Sequence, residues 1–149
     1  MKKLRTIFAA AALLLATSSF ATSGPEKVSQ QVKAAFEKNF TGAVNVNWEK
    51  SESFYFAYFE LNSKAVSAAY NENGELVGTS RVITSAQLPL NVSLSLASKY
   101  DDYTLAKTAT ELTFDGQTSY YITAENSKQV VRFKCSSNGD VVVENKTKK

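Results

Sequence analysis

The sequence contains no histidine and only one cysteine, Cys135. The absence of histidine excludes Ser-His-Asp and Cys-His nucleophilic arrangements, histidine general bases and most zinc sites. One cysteine cannot form an intramolecular disulfide, so the core must hold the fold together. We expect Cys135 to be buried as a small apolar residue. We therefore predict no catalytic residues, no metal site and no cofactor, and we expect that the protein is not an enzyme.

Carboxylates are the remaining candidates for acid–base chemistry. Glu60 and Glu125 occupy similar positions near predicted strand ends. A catalytic pair is defined by its separation in space, and a solvated strand end accounts for both residues more simply. The oxygen-rich run NENGE at residues 71–75 lacks the ligand spacing of an EF-hand, and a hairpin turn explains it fully.

The first 21 residues have the composition of a secretory signal peptide. A basic start (MKKLR) precedes an apolar segment at residues 7–16 that is too short to span a bilayer comfortably. The run SFA, which ends at Ala21, offers small residues at the −3 and −1 positions of a cleavage site. For a bacterial host we predict cleavage after Ala21, a periplasmic location and no membrane insertion of the mature chain. Residues 22–149 would then form a single domain.

The mature chain has little net charge. Three of the 17 basic residues lie before the predicted cleavage site and none of the 14 acidic residues does, so the mature chain would carry 14 of each. Phosphate binding requires a basic surface, and an overall balance of this kind argues against one. We therefore predict that nucleic acid is not a partner.

Two segments of the mature chain resemble each other. AVSAAYNENGELV at residues 65–77 aligns without a gap with VVRFKCSSNGDVV at residues 130–142, so that Tyr70 falls on Cys135. The elements before each segment also follow the same order. We predict two tandem repeats, at about residues 25–82 and 83–149.

Each repeat is predicted to begin with an amphipathic helix and to continue with four strands. Apolar residues recur at helical spacing in both repeats. The two helical stripes are Val28, Val32, Ala35, Phe36 and Phe40, and Leu88, Val92, Leu96 and Tyr100. The predicted strands are residues 44–49, 53–61, 65–70, 75–82, 103–112, 118–125, 130–135 and 140–145, with Val44, Val46 and Trp48 on the buried face of the first. The fold class is α+β, with each helix followed by a four-stranded antiparallel meander.

These residues resemble a known family. The pattern includes NVNWE at residues 45–49, Y-x-A-x-F at Tyr55, Ala57 and Phe59, and N-x-N-G at residues 71–74, with QLP at 87–89 and NGD at 138–140 in the second repeat. Over nearly the whole mature chain it is similar to the PepSY-like, β-lactamase-inhibitor-like periplasmic proteins. The resemblance implies two α-β4 repeats whose sheets join into one curved sheet with the helices on one face. It also implies, in general terms, a binding or inhibitory role. The β-lactamase inhibitor itself is disulfide-bonded, which this chain cannot be.

The strand SFYFAYFEL at residues 53–61 is apolar on both faces. In the family that it resembles, Y-x-A-x-F points at the helix, so Phe54, Phe56 and Tyr58 would point away from it. The equivalent face of the second repeat carries Tyr121 beside Arg132 and is more polar. We predict that these five residues form a site for a ligand or partner, because aromatic side chains are favoured in binding surfaces.

Four interpretations of this aromatic face remain open at the level of sequence. The first is a non-enzymatic module that contacts an unknown protein or peptide through the sheet face. The second is a carrier that holds a small apolar or glycan ligand in a trough between the aromatics and the small residues Ala65, Ser67 and Ala69. Alternatively, the face is ordinary core because the sheet curls, or it packs on a second copy in a homodimer.

Overall fold

The computed structural model describes residues 28–149, which form two α-helices and eight strands. The helices are α1 (Gln30–Asn39) and α2 (Leu90–Lys99). The strands are β1 (Val44–Ser51), β2 (Phe54–Leu61), β3 (Lys64–Asn71), β4 (Leu76–Thr84), β5 (Thr104–Phe114), β6 (Gln117–Glu125), β7 (Gln129–Ser136) and β8 (Val141–Lys148). The predicted signal peptide and its cleavage site lie outside the described residues. No helix within residues 28–149 is long and apolar enough to cross a membrane.

The strands follow one another in chain order in one open antiparallel sheet, and the predicted α+β class is confirmed. The chain divides into two compact units, of which unit 1 ends at Arg81 and unit 2 runs from Val82 to Lys149. The predicted pair of repeats stays a prediction. All predicted strands are present, with bounds that differ by a few residues because strand ends carry little sequence signal.

In unit 1, α1 packs on one face of its strands. Ser29 caps the helix, since its Oγ accepts a hydrogen bond from the N–H of Val32 at 3.3 Å. The predicted apolar stripe of α1 faces the sheet, and Y-x-A-x-F meets it as predicted. The helix-packed cluster of unit 1 has as its buried members Val28, Val32, Phe36, Tyr55, Ala57, Phe59, Ala68 and Tyr70.

In unit 2, α2 packs on its strands through the predicted stripe. A short 3-10 turn, Ser85–Gln87, precedes α2, and Pro89 stands at the N-cap, where its missing N–H leaves no helical bond unmade. Cys135 is fully buried, as predicted. The helix-packed cluster of unit 2 has as its buried members Ile83, Leu88, Val92, Leu96, Ala109, Tyr120, Ile122, Ala124, Val131, Phe133 and Cys135.

The predicted burial of Val44 in β1 is wrong. Val44 is 53% exposed, whereas Val46 and Trp48 pack against the helix-packed cluster of unit 1. The pairing of β1 with β2 is interrupted between Val44 and Asn47, and Asn45 has a φ of +55°. A bulge of this kind breaks the alternation of side chains, so Val44 no longer follows the pattern of Val46 and Trp48.

Short turns set the register of the hairpins. The pairs Asn62-Ser63 and Asp115-Gly116 have positive φ at both positions, as a two-residue type I′ turn requires. The longer β3–β4 and β7–β8 turns contain Gly74 and Gly139, and in each the glycine N–H donates to the carbonyl three residues earlier.

The last strand, β8, is exposed along most of its length and ends in the basic run KTKK.

Candidate functional site

The face of unit 1 that points away from α1 carries the predicted aromatic residues. Strand pairing places small residues beside them, in two rows that run across the sheet. From β1 to β4 these rows are Glu49, Phe56, Ala69 and Gly78, and Asn47, Tyr58, Ser67 and Ser80. We call the set Phe54, Phe56, Tyr58, Ser67, Ala69, Gly78 and Ser80 the sheet trough.

The sheet trough is buried rather than openly exposed. Phe56 is 3% and Tyr58 is 6% exposed, and Phe54 is half-buried. In unit 2, Tyr121 is also buried, at 3% exposure. The sequence left open whether this face is exposed or buried, and the structure buries Phe56, Tyr58 and Tyr121.

The two helices do not account for this burial. Neither helix-packed cluster contains Phe56, Tyr58, Ala69 or Tyr121, although all four are buried. An apolar sheet face needs a second layer to cover it, and α1 and α2 supply that layer on the opposite side of their own strands. The sheet trough therefore forms an apolar surface separate from the helix-packed core of unit 1.

Tyr58 is tied to the neighbouring strand by its hydroxyl group. The hydroxyl donates to Oε2 of Glu49 at 3.2 Å, across the β1–β2 pairing. Burial raises the pKa of Tyr58 well above its usual value, and the nearby negative charge of Glu49 raises it further. Tyr58 is therefore a neutral hydrogen-bond donor at any physiological pH.

Ser80 supplies the polar group of the sheet trough. It is 1% exposed, and its Oγ is buried without a hydrogen-bond partner among residues 28–149. An unpaired buried hydroxyl costs about 1–3 kcal/mol, so most native examples have a structural or functional reason. The sequence pattern did not single out Ser80, because only the β3–β4 register places it beside Ser67 and Tyr58.

In unit 2, Tyr121 lies beneath two cationic side chains. The Cζ atom of Arg132 is 5.2 Å and the Nζ atom of Lys134 is 5.8 Å from the centre of the Tyr121 ring. Both distances fall within the range of a cation–π contact. The Nε of Arg132 also donates to Oε2 of Glu144 at 2.8 Å. The predicted neighbours Tyr121 and Arg132 are thus in contact, and we call Arg132 and Lys134 the cationic pair.

The cysteine and the carboxylates considered for catalysis lie in surroundings that do not activate them. Burial raises the pKa of Cys135 to about 11, so its thiol is protonated and unreactive at neutral pH. Glu60 and Glu125 are both exposed, and Glu125 pairs with Lys149 at 2.9 Å. Within residues 28–149, no three His, Cys, Asp or Glu side chains come together as a metal site would require.

Other clefts of the two units lie outside the sheet trough. A polar cleft of about 470 Å³ in unit 2 is lined by residues that include Asp102, Asn126 and Lys149. Its polar groups bond to one another, as when the Asn126 amide donates to Asp102 at 2.8 Å. A cleft of about 410 Å³ in unit 1 lies between α1 and β1 beside Phe40 and Trp48. Neither cleft brings together predicted site residues.

The fold has close counterparts among solved structures. A BLIP-like protein from Bacteroides fragilis matches with a TM-score of 0.66 and 20% identity, over 84% of this chain and 89% of that one. A DUF2874 family protein from Bacteroides uniformis matches with a TM-score of 0.68 and 18% identity, over 81% and 89%. A protein provisionally described as periplasmic, from Bacteroides eggerthii, matches with a TM-score of 0.68 and 17% identity, over 83% and 90%.

The chain shares the fold of BLIP-like proteins. The predicted resemblance to β-lactamase-inhibitor-like proteins is therefore confirmed for the fold, and at these identities the likeness shows the fold alone. No protein-family model matches the sequence, and no curated protein matches it significantly.

Proposed function

We propose that the protein is a non-enzymatic periplasmic binding module that contacts a protein or peptide through the sheet face opposite its helices. The observation that carries the proposal is the sheet trough, an apolar face that belongs to neither helix-packed cluster. Aromatic side chains are favoured as anchors in binding surfaces, and the half-buried Phe54 is the aromatic of the sheet trough that a partner would reach first. The predicted signal peptide supports the periplasmic location, as does the periplasmic description of the relative from Bacteroides eggerthii.

Two adjacent alanines test this proposal. Ala68 and Ala69 are both 0% exposed, but Ala68 packs under α1 and Ala69 lies in the sheet trough. In the processed protein, Ala68→Leu should lower the free energy of unfolding by about 1–3 kcal/mol, because it overpacks the helix-packed cluster. Ala69→Leu should lower it by less than Ala68→Leu does, because the added side chain meets strand neighbours in the sheet trough but no helix. Urea unfolding measures both.

Binding is measured on the same variants by photo-crosslinking. A photoreactive side chain at Phe54 should give a discrete adduct in periplasmic extract, and the same group at the exposed Leu94 of α2 should not. The adduct at Phe54 should disappear in the Ala69→Leu background. If Ala69→Leu destabilises the protein as much as Ala68→Leu does, the face is ordinary core and the proposal is wrong.

Ser80 favours a second candidate function, that of a small-molecule carrier. A small apolar ligand with one polar group could occupy the sheet trough and satisfy the unpaired Oγ of Ser80. Native mass spectrometry of freshly purified protein would then show a bound mass that Ser80→Ala reduces. The same variant should stabilise the ligand-free protein by about 1 kcal/mol, since it removes a buried unpaired hydroxyl. A bare mass together with reduced stability of Ser80→Ala would exclude this function.

A further inference from the structure

The cationic pair of unit 2 carries two positive charges, and only one of them has a carboxylate partner. Arg132 has a carboxylate partner in Glu144, whose Oε2 accepts from its Nε at 2.8 Å. Lys134 is exposed and forms no salt bridge within residues 28–149. One positive charge therefore remains without a counter-charge above the ring of Tyr121.

The geometry of β7 suits a carboxylate. Arg132 and Lys134 are alternate residues of one strand, so their side chains point to the same face and start about 7 Å apart. Both cationic groups converge on the ring of Tyr121. The Nη groups of Arg132 are not used by the bond to Glu144, and a carboxylate between the two side chains could accept from both.

We propose that the cationic pair receives an aspartate or glutamate side chain of a protein partner, with Lys134 as the principal contact. This inference rests on the proposed function and specifies the chemistry of the partner. Charge complementarity supports it, because an incoming carboxylate neutralises the surplus charge while Glu144 keeps its own bond. A polyanion is a poorer fit, since the mature chain would be neutral overall and the pair lies beside Glu144.

A pair of matched peptides tests the proposal on the processed protein. The probes are a blocked peptide of sequence Gly-Glu-Phe-Glu-Gly and the same peptide with both glutamates replaced by glutamine. NMR titration at low ionic strength should give a Kd about fivefold lower for the glutamate peptide, as is typical of a partly exposed ion pair. The amide shifts should centre on β7 around Lys134.

Variants assign the effect to the cationic pair. Lys134→Gln should abolish the difference between the two peptides, and so should high salt, because both remove the attraction between charges. Lys107→Gln, at an exposed lysine of β5, should leave the difference unchanged.

Two outcomes would overturn the proposal in different ways. If both peptides bind equally and shift the amides of β6 and β7, the inference about charge is wrong, but binding through this face stands. If neither peptide shifts these amides, the inference is wrong, and the proposed function of this face in unit 2 is contradicted as well.

Discussion

Replacing Phe36 by alanine should lower the free energy of unfolding by about 4 kcal/mol, the largest effect that we expect from a single substitution. Phe36 is the ring on which the aromatic cluster of unit 1 converges, and the lost contacts would leave a cavity under α1. Its ring centre lies 4.9 Å from that of Phe59, 5.2 Å from Trp48, 5.5 Å from Phe40 and 6.5 Å from Tyr70.

Urea unfolding followed by circular dichroism measures this effect. Fluorescence is a poorer probe here, because Trp48 lies next to Phe36 and its signal would change with the substitution itself. Phe36→Leu is the conservative control and should lose only part of the stability, because most of the cavity stays filled. Leu94→Ala, on the exposed side of α2, should change stability by less than about 0.5 kcal/mol. A loss below about 1.5 kcal/mol for Phe36→Ala would contradict the central role of this ring.

Replacing Gly139 by alanine should cost about 3 kcal/mol, for two reasons that act together. The residue has a φ of +97°, which L-amino acids rarely adopt. An added Cβ would also lie 2.9 Å from the carbonyl oxygen of Asn91 and 3.1 Å from Oγ of Ser95. The first atom belongs to the backbone of α2, so relief would require the β7–β8 turn to move away from the helix.

Gly116 provides the matched control. Its φ is +71° in the β5–β6 turn, but an added Cβ would meet no atom within 4 Å. Gly116→Ala should therefore cost only the backbone strain, about 1 kcal/mol. Thermal unfolding of the two variants separates backbone strain from steric contact. Equal losses of stability in Gly139→Ala and Gly116→Ala would show that the β7–β8 turn is not in tight contact with α2.

The sequence was sufficient to predict which residues pack under the helices. Val32, Phe36, Val92 and Leu96 recur at helical spacing, and the alternation of Tyr55, Ala57 and Phe59 places them on one face of β2. The helical spacing is a local pattern that periodicity reveals, whereas the choice of this face of β2 as the helix-packed one came from the family resemblance, because both faces are apolar. The predicted burial of Val44 was wrong because the bulge depends on the positive φ of Asn45, and an alternating strand pattern gives no information about that angle.

The candidate site could be predicted only in part, because it depends on pairing between strands. The pattern identified Phe56 and Tyr58 as a second apolar face, but burial is a property of the folded chain. Ser80 is 22 residues from Tyr58 in sequence, and only the register of three strands brings the two into one row. A small polar residue with no special spacing gives no signal that it will be left without a partner.

The bulge of β1 and the lysines of β8 also bear on how molecules of this protein meet one another. Of the strands that the structure describes, β1 and β8 each pair along one side only. An unpaired strand edge can template the addition of another chain, and so it favours aggregation. A bulge at Asn45 disrupts that template, and Lys146 and Lys148 place positive charge along the other edge. By this physical argument, both features disfavour edge-to-edge association of one molecule with another.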